Sequence, residues 1–82
     1  MRVVGRIPHP SIAITLFEYN EKFTIKLEAG PMEQSYKIST ETVRNVADLQ
    51  KIVDEPFLQE CLTHFNAMFL SWKAATDRNL SH

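Results

Sequence analysis

Apolar residues recur along the chain with two different periods. From Pro56 to about Arg78 the period is helical: Phe57, Leu58, Cys61, Leu62, Phe65, Met68, Phe69 and Trp72 fall within an arc of about 140° at 3.6 residues per turn. Gln59, Glu60, Thr63, Asn66, Lys73 and Asp77 occupy the opposite face, and Leu70 stands about 80° beyond the edge of the apolar arc. Ahead of residue 39 the period is two. In Ser11–Tyr19, Ile12, Ile14 and Leu16 share one face of a strand, while Ala13, Thr15, Phe17 and Tyr19 share the other.

Asn20-Glu21 then supplies a two-residue turn. It sets Tyr19 opposite Lys22, Leu16 opposite Ile25 and Ile14 opposite Leu27, so Phe23, Ile25 and Leu27 join the face of Ile12, Ile14 and Leu16. A slip of one residue would put the two sets on opposite faces, which specifies the register. Asn tolerates the positive φ of such a turn, but Glu21 stands where Gly is preferred. Gly30-Pro31 makes the next turn, and Met32–Ile38 is the third strand of the meander. Met32, Gln34, Tyr36 and Ile38 take the core side, leaving Glu33, Ser35 and Lys37 outside. Gln34 is the misfit, because a buried amide must find partners.

The flanking segments are less regular. Arg2–Ile7 reads as a short strand whose pairing partner is left open, with Gly5 marking a bulge or a close approach. Arg2 and Arg6 alternate with Val3 and Ile7, which gives that strand a basic side. Pro8-His9-Pro10 is a stiff connector that holds His9 out as an exposed turn residue without a role. After the meander, Ser39-Thr40 offers a cap for a helix over Thr42–Val53, while Asn45 followed by Asp48 offers a later start. Asp54-Glu55-Pro56 closes that helix and opens the long one, and Asn79–His82 reads as a frayed tail.

The expected architecture is one α+β domain over residues 1–82. It comprises an N-terminal strand and Pro-rich connector (1–10), a meander (11–38), two helices (39–78) and the tail (79–82). Three or four antiparallel strands carry two C-terminal helices packed on one face. A helix of about 22 residues spans roughly 33 Å, against about 27 Å for an eight-residue strand. It must cross the sheet diagonally or project beyond it.

Composition narrows the classes of function. A chain of 82 residues has one small core and little spare stability. Nine Lys plus Arg against ten Asp plus Glu leave a net charge of −1, too weak a whole-protein field to hold nucleic acid or an anionic membrane. The single Cys excludes an internal disulfide framework and favours a reducing compartment. No apolar run approaches the roughly 18 residues that a span requires, and MRVVGRIPHP lacks the features of a secretory leader. The expectation is a soluble, cytoplasmic protein.

Candidate chemistry is sparse. Cys61 and His64 lie three apart on the long helix, a spacing compatible with a shared metal or an activated thiol. Cys61 falls inside the apolar arc, however, and zinc would need two further ligands, so the pair reads as a core Cys beside a boundary His. Two glycines cannot build a phosphate loop, and no CxxC, HExxH or GxSxG occurs. No enzyme, metal or cofactor is expected.

The outer sheet face is the richer surface, with Thr15, Phe17, Tyr19, Lys22, Thr24, Lys26, Ser35 and Lys37. Phe17 and Tyr19 there, or Leu70 and Trp72 on the long helix, are candidates for contact with a partner. The leading expectation is therefore a non-catalytic interaction or assembly module, a homodimer or one member of a complex. The alternative is a single-stranded nucleic-acid binder in which Phe17 and Tyr19 stack bases and Lys22, Lys26 and Lys37 hold phosphates.

Overall fold

A computed structural model describes residues 1–80 of the protein. Its strands are β1 (Arg2–Ile7), β2 (Ala13–Tyr19), β3 (Lys22–Ala29) and β4 (Met32–Ser39), followed by helices α1 (Val46–Ile52) and α2 (Glu55–Asn79). The four strands form one antiparallel sheet in the order β1-β2-β3-β4, so β1 pairs with β2, and β1 and β4 are the edges. Both helices pack on the same face, α1 near β1 and α2 near β4. Among the described residues no helix is long and apolar enough to cross a membrane.

The register follows the side-chain parity. Tyr19 pairs with Lys22, Leu16 with Ile25 and Ile14 with Leu27. Asn20 and Glu21 both adopt positive φ, 52° and 62°, as a type I′ hairpin turn requires. The carbonyl of Glu21 accepts from the backbone N–H of Thr40 at 3.1 Å, which ties this turn to the end of β4. The second turn places Gly30 at φ 60° and Pro31 after it, the pattern of a II′ turn, and pairs Ala29 with Met32.

At the N-terminal edge the pairing slips between Val3 and Gly5, so Val4 is the extra residue of a bulge. The bulge lets both Val4 and Ile7 pack against the core, which a strictly alternating strand could not do. It also overturns the expected basic side of β1. Arg6 shares the outer face with Thr15 and Lys26, whereas Arg2 lies across from Glu18 on the other face and forms an ion pair with it.

Strand β2 begins at Ala13 rather than Ser11, because the connector is folded back on itself. The Nδ1 of His9 accepts from the backbone N–H groups of Ser11 (3.0 Å) and Ile12 (3.3 Å). His9 is half-buried and organises the connector, so it is not the idle exposed residue expected from its proline neighbours.

Of the two starts the sequence offers for the first helix, the later one is used. The Oδ1 of Asn45 accepts from the N–H of Asp48 at 2.8 Å. Residues 40–44 form a turn instead, yet Val43 within it is buried. Asp54 caps α2 through Phe57 N–H at 3.0 Å, and Pro56 lies in the first turn, where it costs no hydrogen bond. Of the expected frayed tail, Asn79 completes the helix and Leu80 is its C-cap; Ser81 and His82 lie outside the described residues.

The core is one cluster of Ile12, Ile14, Leu16, Phe23, Ile25, Leu27, Val43, Leu49, Val53, Leu58, Cys61 and Phe65. Gln34 is buried beside it and its amide is used at both ends. Nε2 donates to the backbone carbonyl of Cys61 in α2 at 2.9 Å, and Oε1 accepts from the Tyr36 hydroxyl at 2.5 Å. The Tyr36 ring in turn packs edge-on to Phe57, with centroids 5.3 Å apart. Sheet and helix are thereby joined by a satisfied polar link inside an apolar contact.

Three substitutions measure these features by urea unfolding. Glu21→Gly removes a side chain from a left-handed position and is expected to stabilise the fold by about 0.5–1 kcal/mol. Gln34→Ala is expected to cost about 2 kcal/mol and Tyr36→Phe about 1, with less than the total in the double variant because the two groups share a bond.

Candidate functional site

Two surfaces and the Cys61–His64 pair of α2 carry the residues singled out by the sequence, and the fold keeps the two surfaces apart. Leu70 and Trp72 lie on the far half of α2, while Phe17 and Tyr19 lie on the sheet face turned away from both helices.

The last buried residue of α2 is Phe65. Beyond it the apolar arc continues, but only Met68 still packs against the core. Phe69 is 43% exposed, Leu70 58% and Trp72 56%. The arc thus outruns the sheet: α2 has 25 residues, about 37 Å of helix, against strands of at most eight. The molecule is accordingly long, 51 × 26 × 19 Å, and its radius of gyration of 15.0 Å exceeds the roughly 12 Å of a compact chain of this length. Where the helix leaves the sheet, a groove of about 590 Å³ opens between the β3–β4 turn and the helix, walled by Pro31, Met32, Met68, Trp72 and Ala75. The sequence pattern identified the arc, but the groove depends on where β4 ends beneath it.

The outer sheet face is arranged in cross-strand rows. One row is Val3, Phe17, Thr24 and Lys37; the next is Arg6, Thr15, Lys26 and Ser35. Tyr19, Lys22 and Ser39 form a row at one end, and Ala13, Glu28 and Glu33 one at the other. Val3 and Arg6 reach this face through the bulge, and Gly5 was the only sequence signal for it. Phe17 is half-buried among its neighbours, whereas Tyr19 is 61% exposed. Lys26 is engaged by Glu33 at 3.2 Å; Lys22 and Lys37 have no ion-pair partner among the described residues.

Cys61 is fully buried and His64 is exposed. Burial pushes the Cys61 thiol up from its ordinary range; the nearby Tyr36 hydroxyl opposes the shift and the Glu60 carboxylate adds to it. The Tyr36 hydroxyl is likewise pushed up, by burial first and by Cys61 second. Cys61 is thus enclosed beneath the helix while His64 faces solvent, so the fold does not present the two side chains together. Among the described residues no group of three or more His, Cys, Asp or Glu side chains could hold a metal ion.

Comparison with family models, with curated proteins and with solved structures finds no match.

Two measurements check the buried thiol. Cys61 is expected to resist a thiol reagent at least a hundredfold longer in the native protein than in denaturant, with one thiol titrated after unfolding. Stability is expected to fall as pH rises above about 8.5, where an unfolded thiol ionises while the folded one keeps its proton. Cys61→Ala should reduce that slope, leaving the later loss due to Tyr36.

Proposed function

We propose that the protein is a non-catalytic interaction module that self-associates through the far half of α2, with Phe69 and Trp72 at the centre of the contact and Leu70 beyond its edge. The supporting observation is that this half continues an apolar face with almost nothing of its own fold to cover it. From Cys61 to Trp72 the helix contains no Asp, Glu, Lys or Arg, and beyond Phe65 it offers the half-buried Met68 and the exposed Phe69, Leu70 and Trp72. Aromatic and Met side chains without charges are the composition of an interface centre.

A second copy suits this surface in area and charge. The chain exposes 5890 Å², some 800–900 Å² more than the roughly 5,000 Å² of a compact monomer of 9.5 kDa. That surplus is close to the roughly 800 Å² each partner gives to a standard interface. Two copies of an uncharged helix face meet without like-charge repulsion, and the groove beside Met68 can receive the partner's aromatic side chains reciprocally, as two-fold symmetry requires.

Light scattering over a range of protein concentrations tests the reading. A dimer is expected, and Phe69→Glu or Trp72→Glu should raise its dissociation constant at least tenfold, with any loss of helix confined to the overhanging end of α2. Phe17→Lys should leave the assembled mass as it was. A chain monomeric at every concentration, or a dimer indifferent to both helix substitutions, would discard the proposal.

A further inference from the structure

We propose that the outer face of the sheet binds single-stranded nucleic acid, stacking successive bases on Phe17 and Tyr19 while Arg6, Lys22, Lys26 and Lys37 hold the phosphates. The surface is separate from the far half of α2 and stands or falls independently of it.

The geometry repeats at the period of a strand. Two shallow hollows lie side by side on this face and share Thr24 and Lys37 as a common wall. One, of about 280 Å³, joins Phe17 to Lys26 and Lys37; the other, of about 170 Å³, joins Tyr19 to Lys22 and Lys37. Each hollow therefore sets one aromatic ring beside two ammonium groups, Lys37 being shared, and the Phe17 hollow also carries Glu33, which holds Lys26. Phe17 and Tyr19 are two residues apart on β2, about 7 Å, so two neighbouring unstacked bases can each find a ring.

The net charge of −1 is spread over the whole chain, whereas the outer sheet face itself holds four cations, Arg6, Lys22, Lys26 and Lys37, against two carboxylates. Of the ten carboxylates, Asp48, Asp54, Glu55, Glu60 and Asp77 belong to the helices or their caps. Glu18 is paired with Arg2 on the helix side of the sheet, Glu41 follows β4, and Glu21 lies in the turn beside Tyr19. On the sheet face the carboxylates are Glu28 and Glu33, confined to the end away from Tyr19. The bulge adds Arg6 to the lysines in the row of Lys26, a cation that strict alternation would have set with Arg2 on the other side. Aromatic rings between the cations favour bases over an acidic protein, since carboxylates gain nothing from a stacking surface. The flat face has nothing to insert into a major groove, which favours single strands over duplex.

Fluorescence anisotropy with labelled oligothymidylate and oligouridylate of about twelve nucleotides, at low salt, tests the proposal. Binding is expected, with log K falling against log salt at a slope of about −2 to −3 for three or four phosphates. Tyr19→Ala and Lys37→Glu should each weaken it roughly tenfold. Glu33→Gln, which frees Lys26, should tighten it about two- to threefold, and Leu70→Glu should leave the affinity per chain unchanged. No binding at low salt would overturn the proposal, as would binding unaffected by Tyr19→Ala and Lys37→Glu. A polyglutamate peptide that competes equally well, with Tyr19→Ala without effect, would assign the face to an acidic protein instead.

Discussion

The position of α2 over the sheet depends on the amide of Gln34. An apolar contact between a helix and a sheet is tolerant of sliding, because burial is rewarded wherever the surfaces meet. A buried amide is not tolerant, since one misplaced bond leaves polar groups without water or partner. Gln34 Nε2 reaches the carbonyl of Cys61, and Oε1 is met by the Tyr36 hydroxyl, which fixes the helix along its own axis relative to β4. Phe65, one turn later, is the last side chain of α2 to be buried. The link therefore determines how much of the helix lies on the sheet and how much lies beyond it.

Most of the fold was legible because its signals are local and agree with one another. Alternation in β2 and β3, the turn at Asn20-Glu21 and the parity of their apolar residues all specify one register, and that register is present. The elements read less well are those decided by tertiary context. Ser39-Thr40 and Asn45 are both adequate caps, and the burial of Val43 in a turn, which leaves Asn45 as the cap, has no local signature. The bulge at Val4 depends on Val4 and Ile7 both being needed in the core, a demand set by α1 above them. His9 looked idle because its partners, Ser11 and Ile12, are backbone groups that any sequence would supply.

The candidate surfaces show the same division. Phe17, Tyr19 and the lysines could be placed on one face by parity alone. That Arg6 joins them and Arg2 does not required the bulge. On α2 the apolar arc was visible at once, but a helical wheel has no information about where the supporting sheet stops. Phe69 and Trp72 look like core on the wheel and are surface in the fold, and this discrepancy distinguishes a helix built to fill a core from one that also leaves it.

The overhang of α2 also bears on the order of the chain itself. A helical segment held only by its own backbone bonds is marginal in water at a length of three or four turns. Past Phe65 the local supports are modest: the Lys73–Asp77 ion pair at 3.0 Å and the short run of Ala74 and Ala75. A partner seated on Phe69 and Trp72 would also lend these turns rigidity, and helix content would then be thermodynamically linked to occupancy of this surface. Helicity would then depend on protein concentration, and the last turns of α2 would report on their surroundings while the sheet stays unchanged.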